Sequence, residues 1–155
     1  MDEQLICRAV EQAVREAGMA VMTLEKAKRL IDKVEKKAEE MGVRAIIAVA
    51  NTAARPVAVH CMDNAYIASL DIALNKAYTS AGLKMSTAKL SELAGPGQPL
   101  YGIQHTNEGK IVIFGGGEVL EINGKIAGAL GVSGGTLEQD TFLAAYGKEV
   151  FEQGV

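Results

Sequence analysis

The stretch Glu118-Val119-Leu120-Glu121-Ile122-Asn123-Gly124-Lys125-Ile126-Ala127-Gly128-Ala129-Leu130-Gly131-Val132-Ser133-Gly134-Gly135-Thr136-Leu137-Glu138-Gln139 decides the fold. Asn123-Gly124 sits between two apolar runs of strand length and fits the positive φ values of a type I′ turn, so Glu118–Ile122 and Lys125–Val132 read as a hairpin. Thr136 with Gln139 three residues later is a capping box, and it opens a helix expected to run to about Glu152. The order of elements is therefore not βαβ, and a dinucleotide-binding fold is unsupported.

Upstream of the hairpin, Ile111–Phe114 reads as another strand, and a Pro/Gly loop from Gly95 to Gly102 follows a short helix, Ser86–Leu93. Val43–Ala50 and Val57–Met62 are two β-rich runs around an Asn51–Pro56 turn, a second hairpin in which Ala58, His60 and Met62 share one face. Asp63 is placed to cap a helix over Asn64–Ala81 that is apolar nearly all round. It therefore needs cover on several sides. Thr23 caps a helix with apolar positions at Leu24, Ala27, Ile31, Val34, Ala38 and Met41, ended by Gly42. Its charged face pairs Glu25 with Arg29 and Asp32 with Lys36. A first amphipathic helix spans Asp2–Ala17 and stops at Gly18. The outline predicts an α/β protein of the α+β type, with a five-stranded antiparallel sheet and flanking helices.

With 155 residues, 48% of them hydrophobic, the chain has the size of one domain. A net charge of −3 and scattered Lys and Arg exclude a basic nucleic-acid footprint, and the 5% aromatic content leaves few stacking platforms. No apolar run approaches the ~20 residues of a membrane span, and the acidic N-terminus does not resemble a signal peptide. Cys7 and Cys61 form neither a zinc motif nor a disulfide framework, which fits a reducing cytoplasm.

Three glycine clusters, Gly95–Gly102, Gly115–Gly117 and Gly128–Gly135, border these strands and are expected to rim a ligand crevice. Gly109-Lys110 and Gly124-Lys125 lack the spacing and the following Ser/Thr of a phosphate loop. Ser133 mimics a G-x-S-x-G elbow, but its better readings are a donor to a ligand or a cap of the last helix. The two histidines come with no H-E-x-x-H motif and no His/Cys cluster, so a structural or hydrolytic metal site has too few visible ligands in the sequence. An axial haem ligand requires one, and His105 lies in a polar loop from which an imidazole could reach a crevice. His60, on a strand face with Met62, reads as a packed, hydrogen-bonded residue. Lys76 is the outlier of the apolar helix, and it either neutralises a ligand carboxylate or pairs with an acid across a subunit interface.

Met62-Asp63, Lys76-Ala77-Tyr78-Thr79-Ser80-Ala81, Pro96-Gly97-Gln98-Pro99-Leu100-Tyr101-Gly102, Phe114-Gly115-Gly116-Gly117 and Gly128–Asp140 together resemble the GlcG/HbpS family, which includes the C-terminal domain of PduO. The likeness covers residues 23–155 and leaves 1–22 as an N-terminal helical extension. It implies a profilin-like or PAS-like sheet, a homo-oligomer, often an octamer, and a small-molecule ligand. Haem is the favoured ligand, cobalamin the alternative, with accessory roles in diol, glycerol or glycolate metabolism and association with a metabolic microcompartment. His105, as iron ligand, and Lys76, Tyr101, Gly115, Gly116, Gly117, Ser133 and Gly134 are the candidate cofactor-binding residues. An enzyme acting on a small anionic metabolite is the competing reading.

Overall fold

The computed structural model describes residues 2–16 and 20–155. In chain order it has α1 (Glu3–Glu16), α2 (Leu24–Glu40), β1 (Ile46–Asn51), β2 (Pro56–Cys61), α3 (Ser69–Leu83), α4 (Thr87–Ala94), 3₁₀ turns at Ile103–His105 and Asn107–Gly109, β3 (Gly117–Ile122), β4 (Lys125–Ser133) and α5 (Leu137–Glu152). Among the described residues the strands form one antiparallel sheet in the order β2-β1-β4-β3.

The hairpin that fixes the fold forms as its turn chemistry dictates: Asn123 and Gly124 have φ of 51° and 74°, and Ile122 pairs with Lys125. The capping box is also present, with Thr136 accepting from the Gln139 N–H while Gln139 bonds back. Thr23 caps α2 through Lys26, and Gly42, at φ 70°, lies just past the helix end.

Two expectations about the elements are corrected. The sheet has four strands, because Ile111–Phe114 is not one of them. Ile111 packs instead with Leu90 and Ala94 of α4, and the Val112 N–H donates to the Thr79 hydroxyl of α3 at 3.0 Å. A short apolar run can be buried against helices as well as in a sheet, and here a side chain replaces the ladder partner. The second correction is the start of α3. Asp63 does not cap it; residues 63–68 run as turns, Asn64 takes φ 64°, and the helix begins at Ser69 with no side-chain cap.

The two faces of the sheet are filled differently. Leu30, Ile31 and Val34 of α2 and Leu143 and Ala144 of α5 pack with Ile47, Val49, Leu130 and Val132. On the other face α3 covers Ile46, Ala48 and Ala50 with Ala73 and Ala77. That face is thin because α3 lies almost on the strand backbone: a Cβ on Gly131 would fall 2.1 Å from the Ala73 carbonyl oxygen.

Leu5, Ile6 and Val10 of α1 are exposed, and the stop expected at Ala17–Gly18 lies outside the described residues. Glu25 and Arg29 pair as expected. Among the described residues Asp32 does not pair with Lys36; its carboxylate lies beside Glu35 and His60. No helix of the described residues is long and apolar enough to cross a membrane.

Candidate functional site

The late start of α3 creates the site. Because residues 63–68 do not continue the helix, Tyr66 and Ala68 stand as an irregular wall facing the point where β4 passes into α5. Between them opens a crevice of about 340 Å³ lined by Tyr66, Ala68, Ser69, Ile72, Phe114, Ser133, Gly134, Gly135, Leu137 and Asp140. Its volume lies near the lower end of the about 300–1,000 Å³ typical of small-molecule sites. Its mouth is apolar: Tyr66, Phe114 and Leu137 are 73%, 43% and 51% exposed. Deeper in, the buried hydroxyls of Ser133 and Ser69 are joined by a 3.1 Å hydrogen bond.

The floor is held by a buried ion pair. Lys76, with no exposure at all, donates to Asp140 Oδ2 at 3.0 Å and to the Val132 carbonyl at 2.8 Å. Asp140 Oδ1 accepts from the Gly135 N–H at 2.8 Å. One ammonium thus ties α3 to the end of β4 and the first turn of α5, the elements that wall the crevice. Burial pushes the Lys76 pKa below its ordinary value, against the opposing attraction of Asp140. The Nζ also lies 5.1 Å from the centre of the Phe114 ring, within cation–π range. Within this chain the partner of Lys76 is an acid, Asp140.

The other predicted site residues separate into groups. Ser133 and Gly134 line the crevice. Gly116 lies behind it: at φ 115° it presses on the Lys76 tie, and a Cβ there would fall 2.5 Å from Nζ and 2.7 Å from the Val132 oxygen. Gly115 and Gly117 abut Thr141 of α5 and Thr87 of α4. This run lets the chain pass between helices and does not itself line the crevice. Tyr101 and His105 are exposed in the 95–110 segment, outside the lining residues. His60 is hydrogen-bonded, as expected, across 2.9 Å to Glu35, but it is partly exposed and not packed away.

Sequence reasoning missed Tyr66, Ser69, Ile72 and Leu137 as wall residues, and Asp140 as the partner of Lys76. A signal for Asp140 existed. A lysine inside an apolar helix requires a buried acid, and Asp140 is a carboxylate in the first turn of a capped helix.

Relatives share this architecture. An uncharacterised 15.0 kDa protein of Citrobacter freundii from the dhaT-dhaS intergenic region is 43% identical over 135 residues, 87% of this chain and 95% of its own length. The crystal structure of Klebsiella pneumoniae protein ORFY matches with a TM-score of 0.84 and 39% identity, covering 88% of this chain and 94% of that one. A crystal structure of a PduOC–haem complex matches with a TM-score of 0.80 and 29% identity over 83% of this chain and 94% of that one. Residues 22–149 match the family model described as haem degrading protein HbpS-like, and the chain belongs to that HbpS-like family.

Proposed function

We propose that this protein binds haem in the crevice between the starts of α3 and α5. The observation that carries this reading is the apolar mouth, where Tyr66, Phe114 and Leu137 stand exposed around one opening. A flat macrocycle buries such faces while its charged edge stays in water. Membership of the HbpS-like family and the likeness to a haem complex support the choice of ligand.

The residues present fit the group. Ile72, Phe114 and Leu137 offer apolar contact, Ser69 and Ser133 offer hydroxyls, and the Asp140 charge at the floor is cancelled by Lys76 and so does not repel an anionic ligand. Tyr66 is the one lining residue of a type that ligates haem iron. His105 reaches iron only if haem sits outside this crevice. When bound, haem supplies an iron centre and a visible chromophore; the chain supplies the walls.

Titration with haemin is expected to give a saturable Soret shift at one equivalent per chain. Tyr66→Phe should change the bound spectrum and His105→Ala should leave it unchanged; the reverse result moves the ligand to the His105 loop. A Soret band that decays once a reductant and O₂ are supplied marks turnover of haem, whereas a persistent band marks simple binding.

We also propose a homo-oligomer, since Ile67, 96% exposed, stands beside exposed Tyr66 and Leu70 and offers an apolar face to another copy. Sedimentation should show an assembly larger than a dimer, and a monomer at all concentrations would refute it.

A further inference from the structure

Away from the crevice, α2 and β2 bring together a set of donors that the haem reading does not use. Asp32 and Glu35, three residues apart, project from one face of α2. His60 reaches them from the edge strand β2. It sits opposite Ile47, whose side chain belongs to the core beneath α2, so the pleat turns the imidazole toward that helix. One ligand atom from each of the three residues lies within 4.8 Å of the other two.

We propose that Asp32, Glu35 and His60 form a binding site for a divalent transition-metal ion, of the class of Zn²⁺, Co²⁺ or Ni²⁺. Two carboxylate oxygens and one imidazole nitrogen are a donor set that suits such ions, with positions left for water. Charge points the same way. Glu35 already holds the imidazole through a 2.9 Å contact to Nδ1, while Asp32 has no ion-pair partner among the described residues, so two carboxylates face a single imidazole. Shifting the ring proton from Nδ1 to Nε2 presents the Nδ1 lone pair to the metal, and the ion then takes the place of the proton that bridged Nδ1 and Glu35. Ligand atoms around such an ion at about 2.0–2.2 Å lie at most about 4.4 Å apart, comparable with the 4.8 Å within which these three already lie. Glu35 and His60 are about one-third exposed and have room to rotate.

The fold favours this site over other pairings of the same residue types. Cys61 follows His60, but strand alternation turns it away from α2, and it is exposed. His105 lies in a different part of the chain. A site of this kind would be independent of haem and would persist in protein that has never met it.

The experiment is a Co²⁺ titration of haem-free full-length protein, followed by the two histidine imidazole signals in the NMR spectrum and by visible absorption. The expected result is saturation at one equivalent, with paramagnetic shift and broadening of the His60 signal and an unaffected His105 signal. Glu35→Gln and His60→Asn should each weaken binding at least ~10-fold, Asp32→Asn somewhat less, and Cys61→Ser not at all; all four should keep the native circular dichroism. Mg²⁺ should not compete at equal concentration. The proposal is overturned by broadening of His105 in place of His60, by affinity that Cys61→Ser abolishes, or by no saturable binding up to ~1 mM. The NMR readout uses the unaltered protein, so a variant that fails to fold does not leave the question open.

Discussion

Two charged constellations in this chain behave oppositely in space. Lys76 and Asp140 are buried, and their other bonds run to backbone, the Val132 carbonyl of β4 and the Gly135 N–H of the turn before α5. Asp32, Glu35 and His60 are partly exposed, and Asp32 has no ion-pair partner among the described residues. Lys76 directs two of its three N–H donors to its own fold and lies over the Phe114 ring, so the pair acts first as architecture. A group left partly unfilled at the surface retains chemistry. Lys76, the charge that draws the eye in sequence, shapes the crevice through Asp140 and is not among its lining residues.

The largest expected effect breaks the first constellation. Lys76→Met leaves the Asp140 carboxylate buried without its counter-ion, and a loss of about 3–5 kcal/mol is expected in denaturant unfolding. Lys76→Met with Asp140→Leu should recover much of that loss, because no charge is then stranded. If Lys76→Met is neutral, the ammonium is not the tie described. At the second constellation the order of effects reverses. His60→Asn should cost under ~1 kcal/mol of stability, as a partly exposed pair does, while removing most of the cobalt affinity.

The smallest effect concerns a third group, Glu118 on β3. Burial raises its carboxyl pKa above the ordinary 4.5, opposed by Lys148 and reinforced by Glu152. The folded chain thus holds that proton more tightly than the unfolded chain. Its contribution to stability is fully present below about pH 4.5 and is lost as the pH rises through the folded value. Glu118→Gln should then unfold at a higher temperature than the natural chain at pH 7, with the difference vanishing near pH 4. An equal difference at both pH values would show that the carboxyl is not perturbed.

What was legible in the sequence was local. Asn123-Gly124, the Thr136/Gln139 box, and Thr23 with Gly42 each carry their own conformational reason, and those turns and helix ends stand where that chemistry puts them. What failed was decided at long range. Ile111–Phe114 has strand composition, and only the presence of Thr79 and α4 beside it shows that its backbone and side chains are satisfied by helices. Asp63 resembles a helix cap, but the chain turns through Asn64 and starts α3 at Ser69. That delay builds the wall of the crevice, so the error about the helix and the missed Tyr66 are one error. Lys76 and Asp140 are 64 residues apart, and no local pattern pairs them. The Gly115–Gly117 run packs backbone close to helices and is not among the lining residues, and close packing uses the same residue type as a ligand turn, so sequence does not separate the two.

The central claim is that the crevice between the starts of α3 and α5 is the haem site, and Leu137→Asp tests it most directly. Leu137 is the first residue of α5 and lines the mouth, so an aspartate there suits the positive end of the helix and should preserve the thermal midpoint. The same change places a negative charge on an apolar wall. Haemin titration of the two proteins should give a saturable Soret shift for the natural chain and at least ~10-fold weaker binding for Leu137→Asp, with both fully folded. Equal haemin affinity in the two proteins would contradict the account and place haem elsewhere on the molecule.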